Sequence, residues 1–247
     1  MNAPGTCANC GATVTGDFCS ACGQKHPVST FNWRYLLMEL PAGLFAVDKG
    51  VVPTVRELFT RPGHMIRDYL GGKRVRYFRP LSLLVLSAGL YGFISVFFEL
   101  RIPGLNMGEQ TDAKKMIDAI NRHYALMELG LLPLMSFSTW LFFLRSGYNF
   151  VEHLVVNAFL SAQRIIVTLV LLPLMFATNG TMHVVEIASL GNVLSFLLFI
   201  WSLIQLFQGT SAVKVTLKSI GAYVLSYILL FLLIVVGAAV LKLMHLI

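Results

Sequence analysis

Five apolar runs follow residue 79, at 80–98, 124–144, 154–177, 183–207 and 220–244. Each is close to the ~20 residues that a helix needs to cross the hydrocarbon core of a bilayer. Their length and grouping predict membrane spans rather than one large water-soluble core. Spans two and three share the string Leu-Leu-Pro-Leu-Met, at 131–135 and 171–175. A proline in each predicts a kinked pair of helices.

Ahead of the spans the pattern changes. Residues 31–47 carry Trp33, Tyr35, Leu36, Leu37, Leu40, Leu44 and Phe45, but Glu39 and Pro41 interrupt the run. That suits a helix lying in the headgroup region. Thr54 to Glu57 has capping-box form and predicts a helix through Phe59. Arg61-Pro62-Gly63 breaks it. Met65, Ile66, Tyr69 and Leu70 then share one face, with Arg67 and Asp68 opposite, and Gly71-Gly72 ends the turn. Residues 27–79 are therefore expected to be an interfacial amphipathic segment, and residues 80–247 the transmembrane domain.

Composition agrees. The chain has 247 residues, 56% hydrophobic and 13% charged, with mean hydropathy +0.73. Soluble domains carry about 25% charged residues. The net charge of +7 is concentrated at the front, where residues 1–79 hold ten Lys/Arg against five acids. Placing that front in the cytoplasm puts thirteen Lys/Arg inside and five outside, with Arg164 within a span. The expectation is a five-span protein of the cell inner membrane, N-terminus cytoplasmic and C-terminus outside. The first loop carries four cations matched by four acids, and 107–123 could form an external amphipathic helix. No cleavable leader is read from the polar first residues.

Four cysteines, Cys7, Cys10, Cys19 and Cys22, form two C-x-x-C-G turns. Each pair grips an ion from one tight turn, and two pairs complete a four-thiolate site that suits zinc or iron. One structural Zn2+ is expected. A cytosolic setting disfavours disulfides, and the two matched pairs disfavour a redox motif. Residues 1–26 thus read as a zinc ribbon, with a hairpin predicted between the pairs and its turn at Thr15-Gly16-Asp17. So small a unit needs its metal to fold. His26 is expected at the surface, because four thiolates saturate the ion.

Lys73, Arg74, Arg76 and Arg79 lie directly against the first span. They are expected to bind anionic lipid at about 1 kcal/mol per basic residue. Nucleic acid is not expected as a partner.

Charges inside a membrane are costly and mark candidate sites. Arg164 lies deep in the third run, and Glu128 or Glu186 could pair with it. Glu152-His153 sits at the cytosolic entrance of that run and could handle a proton or hold a metal. Asn157, Gln163, Asn192 and Gln205 are further polar residues of the spans.

The C-x-x-C-G…C-x-x-C-G-Q-K start resembles a family of bacterial multipass membrane proteins of unknown function with an N-terminal zinc ribbon. The R-P-G-x-x-I-x-x-Y-L-x-G-K-R stretch, Arg61 to Arg74, resembles the same family, as does Tyr148…Glu152-His153. The resemblance implies a ribbon-bearing all-α membrane protein and supplies no catalytic residues.

The sequence has no nucleophile–base set and no phosphate loop. A non-enzymatic scaffold or adaptor is expected, recruiting a cytosolic protein or a second copy through the ribbon. The alternative is a transporter or lipid-handling protein with a polar cavity near Arg164.

Overall fold

The computed structural model describes residues 5–34, 50–98 and 123–243. The expected helix over 31–47 and the external helix over 107–123 lie mostly outside those residues. Two strands, β1 (Gly5–Thr6) and β2 (Thr13–Val14), pair antiparallel, with Gly5 opposite Val14. Seven α-helices follow among the described residues: α1 Val51–Thr60, α2 Pro62–Leu70, α3 Pro80–Phe97, α4 Tyr124–Phe142, α5 Phe150–Ala177, α6 His183–Leu206 and α7 Ala212–Leu243.

Helices α3 to α7 are each long and apolar enough to cross a membrane. The protein is an all-α polytopic membrane protein with a cysteine cluster near its N-terminus. Helix α5 is the hub: it packs against α3, α4 and α6. Its inner face, with Val155, Val156, Ala158, Phe159 and Ala162, is fully enclosed. Helix α7 is peripheral. Half of the most apolar window of α5 is buried inside the protein, against 6% for α7. Phe231, Leu232 and Ile234 of α7 face outward, as side chains solvated by lipid do. Helices α4 and α5 continue through Pro133 and Pro173.

Helix starts differ from the hydropathy runs in two places. Helix α5 begins at Phe150, where Asn149 accepts from the Glu152 backbone N–H at 2.9 Å and the Glu152 carboxylate accepts from the Asn149 N–H at 2.7 Å. That reciprocal pair is a capping box, and it gives Glu152 a structural partner. Helix α7 begins at Ala212, ahead of the apolar run, because Lys214 and Lys218 are good helix formers. Apolarity marks where a helix enters lipid, not where its backbone bonds begin.

The expected capping box at Thr54 is corrected. Helix α1 starts at Val51, so Thr54 lies inside it. Its hydroxyl donates to Gly50 O at 2.6 Å and accepts from the Phe78 N–H at 2.8 Å. Thr54 ties α1 to the approach of the first span instead of starting the helix. The break at Arg61 and the end at Gly71 fall where the sequence places them.

The apolar face of α2 turns inward. Met65, Ile66 and Tyr69 are fully buried, and Tyr69 meets Phe159 of α5 edge-on at 5.2 Å between ring centroids. Gly63 makes this contact possible. A Cβ there would overlap Ser202 O, Gln205 Cβ and Leu206 N of α6. The α1–α2 pair is therefore packed onto the ends of the spans, against α5 and α6, and α2 contributes core residues there.

Candidate metal centre and its mounting on the membrane body

Each cysteine pair sits in a repeated turn. Cys7 N–H donates to Ala12 O and Gly11 N–H to Cys7 O, both at 2.9 Å; Cys19 N–H donates to Gln24 O and Gly23 N–H to Cys19 O, both at 2.8 Å. Gly11 and Gly23 have φ of 79° and 73°, the left-handed region that glycine enters without strain. Strand pairing encloses the turns. The β1–β2 pair flanks the first, and a Phe18–Lys25 bridge flanks the second. The hairpin expected between the pairs is thus replaced by one around each of them.

The four sulfurs lie within 4.8 Å of one another, with Cys7–Cys22 at 3.6 Å and Cys10–Cys19 at 3.5 Å. They can hold a metal ion. A tetrahedron with metal–sulfur bonds of about 2.3 Å has edges near 3.8 Å, so the donor set fits with little adjustment. The Cys10 backbone N–H lowers the Cys7 thiol to about 7, while, against the Ala12 backbone N–H, hydrogen bonding to Cys19 and its neighbours pushes Cys10 up to about 12, so the thiols of the cluster share protons rather than ionising alike. The unit's own core is Cys7, Val14 and Cys19. His26 stands apart from the sulfurs, beside Gly5.

Gln24 mounts this unit on the membrane body, a role that sequence reasoning missed. It is buried, its amide N–H donates to Gly72 O at 2.7 Å, and its Oε1 accepts from the N–H groups of Arg74 (3.1 Å) and Val75 (3.3 Å). The two knuckles read C-G-A and C-G-Q. A long amide side chain where the first knuckle has alanine was the available signal.

The basic collar is not four equivalent cations. Lys73 pairs with Asp68 at 2.9 Å and Arg76 with Glu57 at 2.8 Å. Arg74 donates to Ser29 O at 2.6 Å and lies over the Phe31 ring at 4.0 Å. Arg79 is the residue before α3. Glu57 also accepts from Arg61 (2.6 Å) and from the Tyr77 hydroxyl (2.7 Å). Burial opposes its ionisation, yet Tyr77, Arg76 and Arg61 outweigh burial and hold the carboxyl below the usual range. Asp68 is likewise held low: burial raises it, and Lys73, Arg61 and Tyr77 more than reverse that.

In the spans, Arg164 donates to both oxygens of Glu128, at 2.7 and 2.6 Å. Glu186 is elsewhere, exposed and 2.8 Å from His183. His153 is fully buried, separated in role from Glu152. Its Nδ1 is 3.2 Å from Thr139 Oγ1, which also accepts from Asn157 Nδ2 at 2.7 Å. The Thr139 hydroxyl also lies 3.1 Å from Ser136 O. Among the described residues, His153 Nε2 and Asn157 Oδ1 are buried atoms with no hydrogen-bond partner.

The amides of the spans serve the head. Gln163 Nε2 donates to Leu58 O, one of the carbonyls left open at the end of α1. Gln205 Oε1 accepts from Gly63 N–H. Arg67 donates to Gln205 O and Leu206 O at the end of α6, where the helix dipole favours a cation.

Residues 48–92 match the family described as "Protein of unknown function (DUF3667)". No curated protein and no solved structure matches the chain. The matched segment runs from just before α1 into α3, so the likeness covers the helix pair and the collar on which the cysteine unit is mounted.

Proposed function

We propose that this is a non-enzymatic inner-membrane adaptor whose ribbon holds one structural zinc ion and presents a docking surface to a cytosolic protein or to a second copy of the chain. The Gln24 clip carries this reading. A ribbon fastened to the body by three hydrogen bonds is held in a fixed pose at the membrane surface, which suits presentation. It keeps Phe18 64% exposed, and an exposed aromatic on a metal-stapled turn is a suitable anchor for a partner. Four thiolates fill the coordination of zinc and leave no position for substrate. The positive charge of the front favours its cytoplasmic placement, and the collar favours an anionic leaflet.

A photo-reactive residue in place of Phe18, in cells, is expected to yield one discrete cross-linked species that disappears when Cys19 and Cys22 become serine. An identical cross-linking pattern in that variant would sink the adaptor reading. Transport or lipid handling near Arg164 has less support, because both Glu128 oxygens already engage the guanidinium.

A further inference from the structure

The ribbon holds the collar through the same short turns that carry its thiols. Asn9 stands between Cys7 and Cys10, and its Oδ1 accepts from the Arg76 N–H at 3.3 Å. Gln24 closes the second cysteine turn, its backbone carbonyl accepting from the Cys19 N–H at 2.8 Å. Its side chain meanwhile takes Gly72 O and the N–H groups of Arg74 and Val75. Three consecutive backbone N–H groups of the collar, at 74–76, thus end on amides of the two knuckles. The approach is close. Gly72 is buried with φ of 108°, and a Cβ there would stand 3.1 Å from Ala8 Cβ, beside Cys7. Residues 73–79 are in neither helix nor strand. Their backbone takes its order from side chains, Thr54 at Phe78 and the ribbon amides at 74–76.

We propose that the ribbon is a metal-operated latch on residues 72–76. With the four thiolates gathered on a metal ion, Asn9 and Gln24 stand in register with the collar. With the metal lost, the turns lose their shape, both amides move and the collar backbone is released ahead of the first span. The coupling is strong because the cysteine unit has only Cys7, Val14 and Cys19 as its own core, so metal binding is what keeps its turns folded. The collar joins α2 to α3, and its order therefore follows the supply of a thiophilic divalent metal such as zinc. Linkage also runs the other way: turns that order the collar when metal binds must bind metal more tightly while the collar is engaged. The latch rests on the metal occupancy proposed above and not on the docking of a protein partner.

The test uses the full chain in a non-ionic detergent, with hydrogen exchange read by mass spectrometry as purified, after a zinc chelator and after zinc is returned. Exchange at 74–76 is expected to quicken about tenfold on chelation, within the usual range of coupling between two sites. It should recover with zinc and track zinc content across a titration. With Asn9→Ala and Gln24→Ala together, 74–76 should exchange fast with zinc bound and gain nothing from chelation, while residues 5–26 still respond. That double variant should also bind zinc about tenfold more weakly in competition with a chromophoric chelator. Unchanged exchange at 74–76 after complete zinc removal, or wild-type zinc affinity in the double variant, overturns the latch. The first of these results uses the unaltered chain, so a folding defect in the variant cannot mask it. A purified chain without metal by elemental analysis fells the occupancy reading, and the latch with it. A metal-bearing chain whose collar ignores chelation fells the latch alone.

Discussion

In the head, Glu57, Asp68, Arg61, Lys73, Arg76 and Tyr77 share a network in which each carboxylate has several partners: Glu57 meets Arg61, Arg76 and Tyr77, and Asp68 meets Arg61, Lys73 and Tyr77. In the middle of the bundle, Arg164 and Glu128 depend largely on each other. The difference follows from the solvent. Beside water an ion pair contributes little and can be extended cheaply. Away from water a charge must be matched, and losing one partner strands the other. The cysteine unit is a third regime, with almost no core and four thiols placed to hold an ion.

Metal removal probes the contrast most strongly. Metal binding in such units supplies roughly 10–16 kcal/mol of folding free energy. Chelation, or Cys19→Ser, should therefore release exchange protection over residues 5–26 while leaving that of α3 to α6 intact. Hydrogen exchange read by mass spectrometry checks this, and loss of protection in the spans would break the comparison.

Next in size is the ion pair. Arg164→Leu or Glu128→Leu alone should cost about 3–5 kcal/mol, whereas the double substitution should cost less than either single one. Thermal unfolding in detergent across the four variants reads the coupling. Additive losses would mean that the pair is solvated.

Gly63→Ala is expected to destabilise the seat of α2 on α6 by about 1–3 kcal/mol, the usual cost of overpacking. Gln24→Ala should cost about as much, through the unpaired Gly72 carbonyl and the stranded N–H groups. It should loosen residues 72–75 in hydrogen exchange yet keep one metal per chain by elemental analysis. Loss of metal would show that ribbon and mount fold as one unit.

The smallest effect near neutrality is that of pH. Glu57 and Asp68 are held below their ordinary range in the folded chain. Their stabilisation is complete above the unfolded-state values of about 4. It is lost as pH falls through the lower folded values. The protection of α1 and α2, taken relative to the intrinsic exchange rate at each pH, should stay constant from pH 7 to 5 and fall only below about 4, ahead of that of α5.

Local patterns were legible in the sequence and distant partnerships were not. Apolar runs located all five spanning helices, because lipid solvates side chains uniformly along a run. Cysteine spacing located the cluster that can hold a metal ion, because each pair acts within one turn. Thr54 was misread because its hydroxyl is claimed by Phe78, 24 residues away. Gln24 and Gln163 find partners 48 and 105 residues distant, and nothing in their neighbourhoods announces this. The polar residues of the spans suggested a path through the bundle. Two of them, Gln163 and Gln205, instead close open backbone ends of α1 and α2, since a helix end out of water must be satisfied by some side chain.

The grip of Arg67 on the last carbonyls of α6, with Gly63 pressed against the same turn, has a mechanical consequence. A span held only by lipid can shift along the bilayer normal when membrane thickness changes. Moving α6 by one turn, about 5.4 Å, would pull Gln205 O and Leu206 O away from the guanidinium and drive α2 into side chains instead of backbone. The helix pair is a depth stop. A thinner or thicker bilayer has to bend α6 or tilt the whole assembly, and either would carry the ribbon with it.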